Sequence, residues 1–340
     1  MAEDPAPHAD DGRGRRAERP SEIPPPGWRD IALRAWNGFL DDNLAMVARS
    51  IAFSAVLALF PGLAAFVSLY GLFADPLAAA KQMALLAGVM PDQTLELLRS
   101  ELMRIASSAE TTLSITFAVG LATALWSVST GVKALVRGLN IAYSERERRS
   151  FIRLSLVSLA FTAAGLVYLL IAALAVVATP LALALVRAPV DIQALALLRW
   201  PALFVLVLPA LAAAYRFGPC RAQARWRWLS WGGVLAAALW IGVSLGFTWY
   251  VGAFADFSAT YGSLGAMFGF LIWTWLTAVI ILLGAKLNAE IEHQTAVDTT
   301  TGPPRPMGER GARMADTLGE PQAIPLVSRL QRAVAASRGR

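Results

Sequence analysis

Residues 257–285, FSATYGSLGAMFGFLIWTWLTAVIILLGA, run for 29 positions without an ionised side chain. A helix needs roughly 20 apolar residues, each rising about 1.5 Å, to cross the hydrocarbon of a bilayer. This stretch is therefore long enough to span a membrane. Five further charge-free windows lie upstream, with 28 positions over 228–255, 16 over 200–215, 33 over 154–186, 22 over 111–132 and 25 over 50–74. The shortest grows to 24 positions, 192–215, once Arg199 is admitted. The fold expected is an all-α polytopic membrane helix bundle with spans near 51–73, 112–131, 155–178, 194–215, 229–251 and 264–285.

The basic residues between these windows set the orientation. Residues 1–49 hold 7 Lys or Arg, 133–153 hold 6, 216–227 hold 4 and 286–340 hold 8. The alternate connections hold only 5 of the 30: Lys81, Arg99, Arg104, Arg187 and Arg199. Counting the short connections alone, where the bias acts most strongly, still leaves 10 against 2. Cytoplasmic loops retain Lys and Arg, so both termini are expected inside.

With 56% hydrophobic and 16% charged residues the chain is too apolar for an ordinary soluble domain. Its net charge of +6 borders the predicted spans and forms no groove interleaved with exposed aromatics. The expected counter-charge is therefore an anionic phospholipid surface on the cytoplasmic side, not nucleic acid; each juxtamembrane Lys or Arg contributes about 1 kcal/mol there. Cys220 is the only cysteine, which excludes an internal disulfide and a cysteine metal cluster. Residues 1–30 lack the apolar core of a signal peptide, so the first span is expected to act as an uncleaved insertion signal.

Residues 1–27, rich in Pro and mixed charge, are expected to be a disordered leader, and 294–340 a disordered tail around a membrane domain at 28–293. A surface-seeking helix is a further expectation for 324–338. From Asp30, Trp36, Phe39, Leu40, Leu44 and Val47 recur at helical spacing beside Arg34, Asp41 and Asp42. This is either an interfacial helix or one packed under the bundle. Pro61 sits mid-span, where a kink or break is expected because proline removes a backbone hydrogen bond. Leu77 to Val89 and the stripe Leu95, Leu98, Leu102, Ile105 suggest a helical hairpin on the outer face, a lid or a docking surface for an envelope partner. After the second span, Glu145 and Arg149 at i,i+4 fit a helix continuing into the cytoplasm. The surrounding charge cluster reads as a topology-setting run or, more sharply, as a headgroup-binding site. Gly242 with Gly246 and Gly265 with Gly269 have the spacing that lets helices approach closely. Trp249, Tyr250 and Tyr261 fit an outer aromatic belt, and Trp226, Trp228 and Trp231 an inner one.

Several motifs then occur together. Tyr261-Gly262-Ser263-Leu264-Gly265, Leu271-Ile272-Trp273 and Gly284-Ala285-Lys286-Leu287-Asn288 stand in and before the last span. Leu59-Phe60-Pro61, Trp126-Ser127, Leu139-Asn140 with Tyr143, and Arg216-Phe217-Gly218-Pro219 precede them. Jointly they resemble the YihY/virulence factor BrkB family of bacterial inner-membrane proteins, formerly labelled a ribonuclease BN family, over about residues 34–292. The resemblance implies six spans with both ends inside, matching the charge count. It also marks a departure: where the family usually carries an acidic residue, this chain has Lys286, and Glu290 follows one turn later as a replacement or a pairing partner. The plainer reading is that both anchor the helix end.

Chemistry is sparse. His8 lies in the leader, His293 stands alone, and no paired carboxylates face a basic cleft, so no enzyme activity is expected and the nuclease label gains no support. No Gly-rich nucleotide loop is present and no cofactor or metal is expected. The leading expectation is a transporter or lipid-handling protein, with Ser54, Ser127, Ser129 and Thr130 as polar groups in the spans. The rival is a non-transporting envelope scaffold, and the oligomeric state is open.

Overall fold

The computed structural model describes residues 12–70, 95–96, 98–100, 102–103, 115–186, 192–254 and 265–322. Among them, seven long helices carry the fold: α1 (Pro25–Asp41), α2 (Leu44–Tyr70), α3 (Ile115–Ala142), α4 (Phe151–Val186), α5 (Ile192–Phe217), α6 (Trp226–Phe254) and α7 (Gly265–Glu292). A short α8 (Arg313–Asp316) follows. Among the described residues there is no strand beyond one isolated antiparallel bridge, Ala224 to Thr300. Among the described residues, five segments are long and apolar enough to cross a membrane: Leu44–Val67, Val119–Ala142, Phe151–Ala172, Trp226–Val251 and Met267–Glu292. Helix α5 contributes the shorter apolar piece Pro201–Phe217.

Helix α7 is the hub, packing on α6, α2, α1 and α3; α2 packs on α3, α3 on α4, and α5 on α6. Helices α4 and α5 share no comparable face among the described residues. The Tyr168 hydroxyl, donating to the Leu206 carbonyl, crosses this seam. The core is built from Leu44, Ala48 and Ile51 of α2, Leu139 of α3, Tyr215 of α5, Leu229 and Ala236 of α6, and Leu282, Ala285 and Ala289 of α7. Phe53, Leu57, Leu156, Leu169 and Val205 are each more than half exposed, a belt of apolar side chains that suits lipid, not water.

One glycine pair lets α6 and α7 cross closely. A Cβ on Gly232 of α6 would lie 2.2 Å from the Gly284 carbonyl oxygen, and one on Gly284 would lie 2.7 Å from that of Gly232. Only bare backbones fit there. Gly242 and Gly246, the pair expected from spacing, have nothing within 4 Å. Spacing alone cannot say which face of a helix meets protein, and that expectation is corrected.

Other expectations change as well. Helix α2 runs through Pro61, so of the kink or break expected there the break does not occur. Helix α1 packs Ile31, Ala35 and Phe39 inward and leaves Trp36 and Leu40 exposed, then ends before Asn43, whose φ of 51° separates it from α2. Helix α3 stops at Ala142 because Ser144 adopts a φ of 55°, and Arg149 pairs with Glu147 in place of Glu145. Trp228 is fully buried against Ile31 and Ile291 and presents no surface to lipid or water. The outer hairpin lies almost wholly outside the described residues; within its described part, Leu98 and Leu102 are buried one turn apart, and Leu102 packs on Val67. The helix expected at 324–338 lies outside them too.

The largest correction concerns the termini. Described residues 12–27 and 294–322 are ordered against each other and against the end of the bundle. Arg15 donates to the carbonyls of Gln294 and Gly319, the latter at 2.6 Å, and the Ala296 N–H donates to the Arg15 carbonyl at 2.8 Å. Arg310 donates to the carbonyls of Ala315 and Ala296, each at 2.7 Å. Arginine forks satisfy a backbone that makes little regular structure, and Ala17 and Ile23 join Trp228 in a small apolar cluster.

Candidate functional site

The last two turns of α7 carry Lys286, Asn288, Glu290 and Glu292 at alternate positions, and all four are buried. At about 100° per residue, positions four apart share a face and positions two apart point to opposite sides. Lys286 and Glu290 accordingly face α1. Lys286 Nζ lies 2.9 Å from Asp42 Oδ2 and 3.8 Å from Glu290, and its stem crosses Gly38, where a Cβ would be 2.3 Å from Lys286 Cε. Glu290 pairs more closely with Arg34, at 2.8 Å, and its Oε2 is 3.3 Å from His293 Nδ1. Asn288 and Glu292 face the other way. Asn288 accepts from the Gly232 N–H at 2.8 Å and donates to the Leu229 carbonyl at 3.0 Å, clamping the start of α6. Glu292 pairs with Arg221 of the α5–α6 link at 2.6 Å, with both side chains at most 2% exposed.

Asn140, at the end of α3, ties the same region together. Its amide nitrogen donates to Glu147 at 2.8 Å and its oxygen accepts from the Cys220 N–H at 2.7 Å, next to the buried Pro219. Glu147 also accepts a bidentate fork from Arg149, at 2.7 and 2.8 Å. Burial pushes the Glu147 carboxyl up, but the hydrogen bonds from Arg149 and Asn140 outweigh it and hold the group at about 2. Tyr143 is fully buried beneath the Arg221 guanidinium, 4.9 Å from its ring centre, and its hydroxyl has no hydrogen-bond partner. Burial first and the Glu292 carboxylate second push its phenol well above the usual range. Burial pulls the Arg221 guanidinium down, yet Glu292 more than compensates.

Beside this network lies a cleft of about 570 Å³ lined by Arg148, Arg149, Arg153, Arg216 and Arg221. Its apolar wall is Val157, Ala160 and Phe161 of α4 with Phe217 and Pro219 at the end of α5. Arg153, Val157, Ala160 and Phe161 follow the i, i+4, i+7, i+8 pattern of one helix face, so the cleft grades from charge to hydrocarbon along about 12 Å of α4. Arg216 is stacked over Trp226, 4.4 Å from its ring centre, and donates to the Ala224 carbonyl. Glu145 sits at the edge, accepting from the Arg313 N–H at 2.7 Å; burial raises its carboxyl against the pull of that bond, Arg221 and Arg148. Gly311 of the tail also reaches the cleft.

The motif residues thus divide. Asn140, Tyr143, Pro219, Gly284, Lys286, Asn288 and Glu290 gather at one end of the bundle. Pro61, Trp126, Ser127, Gly265 and Trp273 lie along the apolar helices: Trp273 donates to Ser244 Oγ at 3.2 Å, and Trp126 is half exposed under Lys133 Nζ, 5.0 Å from its ring centre. Tyr261 and Gly262 fall outside the described residues. Arg221, Glu292 and Gly232 were not singled out from sequence; each works through a partner at least 50 residues away, and only the tandem Gly232-Gly233 hinted at a close approach.

The virulence factor BrkB family matches residues 35–308, which include all of α7 and the five arginines of the cleft. The chain belongs to that family. Among its relatives, it is 38% identical over 175 residues to the ribonuclease-like protein YfkH of Bacillus subtilis, covering 50% of this chain and 63% of YfkH. It is 26% identical over 268 residues to a UPF0761 membrane protein of Methylibium petroleiphilum, covering 77% of this chain and 62% of the relative. A UPF0761 membrane protein of Ralstonia nicotianae is 28% identical over 276 residues, with 78% and 60% covered. The chain therefore spans less than two thirds of the length of these relatives. No solved structure matches it. Family membership and the apolar helices identify an integral, multi-pass membrane protein.

Proposed function

We propose that this BrkB-family protein crosses the bacterial cytoplasmic membrane six times, with both ends inside, and handles or transports an anionic lipid whose headgroup binds the arginine cleft. The observation that carries this reading is the cleft itself: five guanidinium groups meet an apolar helix face at the start of a membrane-crossing helix. Basic pockets of this kind between helices on the cytoplasmic side suit acidic headgroups.

Support for six crossings comes from the contacts that join the terminal segments. The Arg15 bonds to Gln294 and Gly319 hold both at one end of the bundle, and the two arginine-bearing links are held there by Asn140 with Cys220 and Glu145 with Arg313. Ends that meet on one side require an even number of crossings between them, and α5 supplies the sixth. The charge bias gives that side its cytoplasmic identity.

Reconstituted in liposomes, the protein should bind and move a fluorescent anionic lipid analogue in preference to a zwitterionic one. Absence of both binding and movement across a panel of anionic lipids would remove this reading. A tag after residue 322 should be reachable only from the cytoplasm. The scaffold alternative depends on residues 77–108, and no described contact favours it. The ribonuclease wording belongs to YfkH and is not carried over.

A further inference from the structure

The arginine cleft has more definition than a merely basic surface. Two of its guanidinium groups are fixed by carboxylates: Arg149 by the Glu147 fork and Arg221 by Glu292. Arg221 is 2% exposed, yet its Nη1 has no partner, and Arg216 Nε is likewise buried without one. Arg148 and Arg153 are exposed at the rim and form no ion pair among the described residues. Glu145 lies close enough to Arg148 and Arg221 to interact with both. Five positive charges therefore face three carboxylates, leaving an excess of two. The unsatisfied buried donors mark where acceptor oxygens are missing.

We infer that the cleft is a phosphomonoester site, selective for a lipid whose headgroup phosphate is terminal and carries close to two charges. The inference rests on the anionic-lipid reading above and narrows it. A phosphomonoester carries about −1.5 to −2 at neutral pH and presents three strong acceptor oxygens, whereas a phosphodiester headgroup carries one charge and has fewer free oxygens. Planar guanidinium forks match such oxygens in pairs. Arg221 and Arg216 hold the phosphate from inside, and Arg148 and Arg153 close over it from the rim. An acyl chain can then follow Val157 and Phe161 into the bilayer along the α4–α5 seam, which the Tyr168 bond to Leu206 bridges. That wall is the feature a site for soluble phosphate would not need.

The test uses the full chain in phosphatidylcholine nanodiscs, with binding measured for phosphatidic acid, for phosphatidylglycerol of the same acyl chains, and for soluble glycerol phosphate. Phosphatidic acid should bind about tenfold more tightly than phosphatidylglycerol, and glycerol phosphate should compete poorly. The R148A/R153A variant should bring phosphatidic acid down to the phosphatidylglycerol level without moving the unfolding midpoint, since neither side chain holds the fold. R148K/R153K keeps the charge but loses the forks and should recover only part of the preference. Equal binding of the two lipids, lost together in the alanine variant, would overturn the phosphomonoester inference and leave the anionic-lipid reading standing. If glycerol phosphate competes as well as phosphatidic acid, the lipid commitment fails while a phosphate site stands. If neither lipid binds, both readings fall.

Discussion

The two halves of α7 are built by different rules. From Gly265 to about Ile280 it meets its neighbours through apolar side chains and a few tryptophan N–H bonds, such as Trp273 to Ser244 and Trp240 to Thr277. From Gly284 to Glu292 it meets α1, α6 and the α5–α6 link through buried charges and an asparagine clamp. The upper half adapts to lipid, where packing is tolerant. The lower half fixes one arrangement, because a buried charge or amide missing its partner is costly. The cleft borders the rigid half, so Arg149 and Arg221 are held in place before any ligand arrives.

The largest effect should come from the Arg221–Glu292 pair. Arg221→Ala strands a carboxylate that is fully buried, and a loss of about 3–5 kcal/mol in unfolding free energy is expected. The R221M/E292L double variant should recover most of it, since apolar replacement of a buried ion pair is often near neutral. A single variant as stable as the parent in a detergent-melt assay would show that the lower half is not built on buried charge.

Gly232→Ala should come next. Its Cβ would overlap the Gly284 carbonyl, backbone that cannot swing aside, and a cost of about 1–3 kcal/mol is expected from separating α6 and α7. Gly242→Ala, in the upper half of the same helix, meets nothing within 4 Å. It should leave the midpoint unchanged or raise it, because Ala favours a helix over Gly by up to about 1 kcal/mol. Equal effects at the two sites would erase the contrast between halves.

That pair also shows where sequence reading stops. Charge-free windows are local and depend only on length, so the long helices were legible from hydropathy. The motif residues at the end of α7 were legible as a group through family resemblance. Their partners were not: Arg34 reaches Glu290 across 256 residues, and Gly232 meets Gly284 by a crossing angle that no spacing rule encodes. The same holds for the terminal segments. Counting apolar residues within 12–27 and 294–322 predicts disorder, because the arginine-to-carbonyl bonds that order them link each segment to the other.

A smaller effect, present at neutral pH and fading in acid, should follow from Glu147. Its carboxyl is lowered from the ordinary 4.5 to about 2, so its contribution to stability is complete above 4.5 and is lost as pH falls towards 2. Glu147→Gln should lower the neutral midpoint, where the contribution is complete, and parent and variant should converge as pH falls towards 2. Parallel acid limbs in parent and variant would mean that Arg149 does not depend on this carboxylate.

The smallest effect should be in the upper half. Ser244→Ala removes the acceptor of the Trp273 N–H and Thr277→Val that of the Trp240 N–H, each a bond of 3.2 Å. Interhelical hydrogen bonds within a bilayer contribute about 0.6 kcal/mol on average, because the separated helices find other partners. The two tryptophan rings also pack edge to face, with centroids 6.0 Å apart, and that contact survives either substitution. Each variant should therefore lower the midpoint by far less than Gly232→Ala does. A loss at Ser244 or Thr277 that matches the loss at Arg221 would mean that polar specificity runs the whole length of α7, and the division between a tolerant upper half and a fixed lower half would have to be abandoned.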